Sequence, residues 1–111
     1  MKISQGVFNV NVHILADSFA EGAEKAGHYV EKITLRDKNI AFCKGCMACM
    51  KLKECVMKDD AVSITARMHD AEVIAFASPI YYYEMCGQMK TLLDRANSLY
   101  DSYYKLQISI C

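Results

Sequence analysis

The sequence predicts a single open α/β domain, a three-layer arrangement with a parallel sheet and helices on both of its faces. Two observations carry this. Residues 72–77, Glu-Val-Ile-Ala-Phe-Ala, form a nearly continuous apolar run, which is how a strand covered on both faces reads. Helix-period segments also alternate with strand segments along the chain. The 111 residues, 53% of them apolar, match one domain with a core of its own, so 1–111 is read as one unit.

The first helix is expected over 12–26, where Val12, Leu15, Phe19, Ala23 and Ala26 recur at helical spacing. Asp17, Glu21, Glu24 and Lys25 fall between them. Gly27 supplies the left-handed residue that ends such a helix. Residues 28–35 follow as a strand whose partial alternation places it toward a sheet edge. Residues 36–57 form a loop long enough, in so small a domain, to signal function. Asp59 or Asp60 caps a second helix through Asp70, because a short carboxylate there accepts from free backbone amides. The strand at 72–77 stops at Ser78-Pro79. Residues 87–100 return to helical spacing through Met89, Leu92, Leu93, Ala96 and Tyr100, and 105–111 reads as the start of a further strand.

Charge narrows the function classes. The formal net charge is zero, and no basic run or aromatic-interleaved basic patch offers a nucleic-acid footprint. No apolar stretch approaches the length of a membrane span. The first fifteen residues lack the charged start, apolar middle and small-residue cleavage site of a signal peptide. The expectation is a cytoplasmic protein with reduced thiols, which favours metal or redox use over a disulfide framework.

Cys43, Cys46, Cys49 and Cys55 lie within thirteen residues, at spacings of three, three and six. Thiols so close together hold a metal, carry out redox chemistry or form disulfides. Two consecutive two-residue gaps resemble iron–sulfur ligation, with three thiolates on one side of a cage and a later one closing it. Structural zinc more often uses two separated pairs. Gly45 eases the turn between the first two cysteines. Cys86 opens a helix, where a thiol can be acidified or simply be a small residue. His13, His28 and His69 show no metal-ligand spacing, and Lys58-Asp59-Asp60 reads as a helix start rather than a catalytic carboxylate pair. The Tyr81-Tyr82-Tyr83 run offers aromatic faces for a ring or an oligomer contact.

Three segments in order, 15–28, the cysteine loop with Lys58-Asp59-Asp60, and 77–95 with its Ala-Ser-Pro-Ile-Tyr-Tyr-Tyr start, carry a family resemblance. Together they resemble the flavodoxin-like NAD(P)H-dependent FMN reductases, and in particular the iron–sulfur flavoproteins, over about residues 12–104. The resemblance implies a flavodoxin-like parallel sheet with FMN at the carboxyl ends of its strands. It places Ser78, Pro79, Ile80, Tyr81 and Tyr82 against the isoalloxazine ring, with Ser4 and Asn11 nearest the phosphate. NAD(P)H and an electron acceptor are then the partners, and Cys43, Cys46, Cys49 and Cys55 the ligands of a [4Fe–4S] cluster.

The chain reads as a truncated member of this family. Its first strand is reduced to Met1-Lys2-Ile3 unless 6–10 replaces it, and residues 4–12 keep little of a Gly-Ser-rich phosphate loop. It stops where the family continues with further strands and a last helix. The alternative is a non-catalytic remnant of the fold, a structural or oligomerising module without FMN. With few strands the sheet edges need covering, so a homo-oligomer is expected.

Overall fold

The structure is a computed structural model and describes residues 2–5, 10–99 and 107–110. Lys2–Gln5 forms strand β1, Glu31–Thr34 β2, Val73–Ala77 β3 and Gln107–Ile110 β6. They make one four-stranded sheet in the order β2-β1-β3-β6, with each neighbouring pair parallel. β3 lies inside the sheet, as its apolar run requires, and β2 lies at an edge. The first strand is Lys2–Gln5, longer than the expected Met1-Lys2-Ile3 remnant, and Val10 belongs to a helix.

Helix α1, Val10–Lys25, covers one face of the sheet, and helices α3, Asp60–Asp70, and α4, Gly87–Arg95, cover the other. Alternation along β3 sorts the two cores. Ile74 and Phe76 pack with Ile64, Met68, Met89 and Leu92 on the α3/α4 side. Ala75 packs against Ala16 and Ala20 on the α1 side. Three layers result, as expected for an open α/β sheet.

The buried seam of α1 is one position off the expected stripe. Ala16 and Ala20 are buried, whereas Leu15 is 70% and Phe19 39% exposed. Alanine facing alanine lets this helix approach the sheet closely, and that leaves the larger side chains at the margin of the contact. They line a groove of ≈ 240 Å³ with Val12, Ala75, Ala77 and Ser78.

Local chemistry sets the boundaries. Gly27, at φ +92°, follows α1, and the Gly27 and His28 amides donate to the Glu24 and Ala23 carbonyls, which is a Schellman closure. The Asp59 carboxylate accepts from the Ala61 amide and caps α3. α4 ends at Arg95, and a 3₁₀ turn over 96–99 takes the place of the last helical turn expected there. Edge strand β2 is tied outward by exposed ion pairs, Lys32 to Asp17 and Glu31 to Arg67, each worth about 0–1 kcal/mol.

Candidate cofactor site

Because β1, β2 and β3 are parallel and in register, Gln5, Thr34 and Ala77 mark one carboxyl edge. Three connections leave that edge: 6–9 into α1, the cysteine segment after β2, and the segment from Ser78 into α4. The sheet order reverses direction between β1 and β3, the topological switch point at which open α/β sheets bind ligands. Sequence spacing alone could not bring these three connections together; parallel register does.

After β3 the chain makes a small hairpin, β4, Ile80–Tyr81, paired with β5, Glu84–Met85. Its two-residue turn is Tyr82-Tyr83, with φ +47° and +66°. Positive φ at both turn positions suits glycine or asparagine; each tyrosine there costs about 1–2 kcal/mol. Backbone strain of this kind clusters at ligand sites. The two rings meet edge to face with centroids 5.7 Å apart, and both are almost fully exposed. Ile80 and Tyr81 are exposed too, whereas Pro79 is buried.

Ser78 uses its hydroxyl inside the loop. It donates to the Pro79 carbonyl at 3.0 Å and accepts from the Cys86 amide at 3.0 Å, which closes the base of the hairpin. The outward surface of this turn is therefore made of backbone groups and tyrosine faces. Ser78 and Val12 line the same groove, so the first turn of α1, where Asn11 sits exposed, adjoins this loop. Ser4 lies within β1, one residue before the strand's end. Residues 6–9, the centre of the expected phosphate loop, fall outside the described residues, as do Tyr100, Tyr103, Tyr104 and Cys111.

The cysteine segment runs from Leu35 to Asp59 and contains one short helix, α2, Cys49–Leu52. Cys43 and Cys46 are exposed, Cys49 and Cys55 are half-buried, and none of them is in a disulfide. All four line a single cavity of ≈ 30 Å³. Donors point at three of the four sulfurs. The Gly45 amide donates to Cys43 Sγ at 3.4 Å, Asn97 Nδ2 to Cys49 Sγ at 3.6 Å, and Arg95 Nη2 to Cys55 Sγ at 3.3 Å.

Arg95 and Asp59 fasten this segment to the helices. Arg95 meets the Asp59 carboxylate through both terminal nitrogens, at 2.6 and 2.9 Å. The same nitrogens donate to the carbonyls of Ala41 and Met57, one on each side of the cysteines, at 2.9 and 3.0 Å. Asp59 also accepts from the Ala41 amide, and Asp60 from the Asn39 amide. Arg95's hydrogen bonds are the largest cause holding the Asp59 carboxyl below the usual carboxylate range; desolvation opposes them, and the Ala41 and Ala61 amides assist. The Arg95 side chain is 1% exposed, and its Nε has no acceptor among the described residues. Sequence reading missed Arg95. The available signal was its register: Met89, Leu92 and Arg95 share the buried stripe of α4. A charge on such a stripe has a buried partner.

In its chemistry the set of four thiols is of the kind that ligates an iron–sulfur cluster. Four thiols surround one cavity, amide and guanidinium donors face sulfur, and a buried N–H on the wall lacks an acceptor. Among the described residues no three His, Cys, Asp or Glu side chains are grouped closely enough to hold a metal ion as they stand. The cavity is about the share of one liquid water, and its outer side is the exposed arm carrying Cys43 and Cys46. Gly45, at φ +69° and with open space around it, lies in that arm. Cys86 is fully buried in the α3/α4 core and belongs to packing, not to this set.

The family model described as NADPH-dependent FMN reductase matches residues 9–107. An iron–sulfur flavoprotein of Archaeoglobus fulgidus is 36% identical over 97 residues, 87% of this chain and 48% of that protein. An iron–sulfur flavoprotein of Methanosarcina thermophila is 33% identical over 76 residues, 68% of this chain and 40% of that one. The chain thus spans half or less of the length of these relatives. Among solved structures, a flavone reductase matches 86% of this chain and 29% of its own, with TM-score 0.62 and 24% identity, a likeness of fold. A parallel sheet in flavodoxin-like order, a strained loop at its switch point and a family match over nearly the whole chain agree: this chain belongs to the NADPH-dependent FMN reductase family.

Proposed function

We propose that the chain is the FMN-binding, electron-transferring part of an NAD(P)H-dependent oxidoreductase, with Cys43, Cys46, Cys49 and Cys55 as ligands of a [4Fe–4S] cluster. The observation that carries this reading is the convergence of the four cysteines on one cavity that donors already face, in a segment rising from the same sheet edge as the loop at Ser78. When bound, FMN supplies hydride acceptance and single-electron transfer, and a cluster supplies a one-electron store.

The chain's own residues do the holding. The parallel sheet sets the Ser78 loop beside the first turn of α1, and the positive end of a helix suits a phosphate. Pro79 and the Ser78 hydroxyl stiffen the turn, and Tyr81 and Tyr82 offer aromatic faces to a flat ring. Asp59 and Arg95 fix both ends of the cysteine segment. No helix among the described residues is long and apolar enough to cross a membrane; a cytoplasmic setting, where thiols stay reduced, suits this role.

Titration of FMN against the parent and against a Tyr81→Ala, Tyr82→Ala variant tests the flavin reading. Binding by the parent and about tenfold weaker binding by the variant are expected, from the loss of aromatic contact. Equal affinities would remove the tyrosines from the site. A parent without affinity would leave the non-catalytic structural or oligomerising module as the reading.

Ile80, Tyr81, Tyr82 and Tyr83 make an exposed apolar hairpin, and such patches commonly mark association. We propose a homo-oligomer, expected as a dimer or larger species at micromolar concentration by light scattering. A monomer throughout that range would contradict it.

A further inference from the structure

We propose that Arg95 is a positioning residue for the cluster: it holds Cys55 in ligating orientation and biases the cluster toward its reduced form. The inference rests on the cluster reading above. Arg95 Nη2 lies 3.3 Å from Cys55 Sγ, and the side chain is 1% exposed, so water screens the contact little. Its other contacts fix the direction of approach. Asp59 takes both terminal nitrogens, while the Ala41 and Met57 carbonyls hold the fork from either side.

The ion pair is neutral at long range but not at the sulfur, where the N–H dipole presents its positive end. One-electron reduction of a thiolate-bound cluster adds one negative charge, shared by its sulfurs. No protein–sulfur bond breaks and no proton moves. A donor fixed on a ligand sulfur stabilises the product more than the reactant, and hydrogen bonds to sulfur are a principal lever on cluster potential. Asn97 and the Gly45 amide act on Cys49 and Cys43 in the same sense, but both are neutral donors at longer range.

A purely structural role for Arg95 would leave the potential alone, which makes the potential the deciding measurement. After anaerobic reconstitution with iron and sulfide, the cluster is titrated with dithionite as electron donor, with iron counted beside each titration. The parent is compared with an Arg95→Met, Asp59→Asn variant, which removes the charge and the donors without stranding a buried carboxylate. An Arg95→Lys variant keeps the charge but loses the fork, and Lys90→Ala removes only an exposed ion pair on α4.

In the double variant the reduced form is expected to be disfavoured about tenfold, a potential lower by ~59 mV for one electron. Arg95→Lys should fall between it and the parent, and Lys90→Ala should match the parent. Equal potentials in the parent and the Arg95 variants would overturn the proposal while leaving the cluster intact. If the double variant holds no iron, Arg95→Lys decides on the same criterion: a lowered potential or loss of iron there supports the proposal, and the parent's iron content with the parent's potential overturns it. A parent that takes up no cluster overturns both this inference and the reading on which it rests.

Discussion

Replacing any one of Cys43, Cys46, Cys49 or Cys55 by alanine is expected to remove most of the iron retained after anaerobic reconstitution. Each thiolate of a [4Fe–4S] cluster holds a different iron, so none of the four is spare. The structure sharpens the expectation by position. Cys49 and Cys55 sit half-buried under side-chain donors, whereas Cys43 and Cys46 lie on the exposed arm. Loss of Cys55 also strips Arg95 of its sulfur acceptor, so that variant should be the poorest in iron. Cys86→Ala is the control: its thiol is fully buried in the α3/α4 core, and its removal should lower stability without lowering iron per folded chain. Iron and sulfide analysis checks this directly. Equal iron loss in the Cys86 variant, or parent stoichiometry far below one cluster per chain, would end the assignment.

Asp59→Ala should produce the largest loss of stability available from a single polar side chain here. The carboxylate caps α3, holds the Ala41 amide and neutralises a guanidinium that is 1% exposed. Removing one partner of a buried ion pair leaves the other charge uncompensated, at a cost of about 3–5 kcal/mol. That is a large share of the ~5–15 kcal/mol by which such domains are stable. Asp94→Ala, which breaks only the exposed pair with Lys90, should cost less than about 1 kcal/mol. Urea unfolding of the three proteins separates these cases, and an Asp59→Ala midpoint close to the parent's would show that the pair does not carry the segment.

The same carboxylate predicts a pH dependence of definite sign. Its folded-state value is lowered, chiefly by the Arg95 hydrogen bonds. A lowered carboxyl contributes its stability in full above the ordinary aspartate range, near ~4, and loses it as pH falls through the lowered folded value. The parent should therefore lose stability in acid more steeply than Asp59→Ala does.

Much of the scaffold was legible because local energetics wrote it. The apolar run at 72–77 became β3 with both faces covered, Gly27 closed α1, and Asp59 capped α3. Each of these depends on a few neighbouring residues and one backbone preference. The edge placement of β2 was readable for the same reason, since partial alternation records how many faces a strand covers. The stripe on α1 was misjudged by one position. Periodicity shows that a helix has an apolar side, but which residues meet the sheet depends on the size of the residues across from it, here Ala75.

The sequence by itself determined the family, the three main helices and the central strand, and the four cysteines as a set; the hairpin after Pro79 and the short helix in the cysteine segment were not read from it. Only the tertiary structure decided what surrounds that set. Arg95 reaches Asp59, Cys55, Met57 and Ala41 across 36 to 54 residues of chain. No local pattern encodes the meeting, because it exists only once α4 packs on the sheet beside the cysteine segment. Ser78's hydroxyl likewise turned inward because the hairpin returns Cys86 to it. Short-range preferences repeat along a chain and can be read from it; a long-range contact is set by where packing brings two segments, and the chain acquires it on folding.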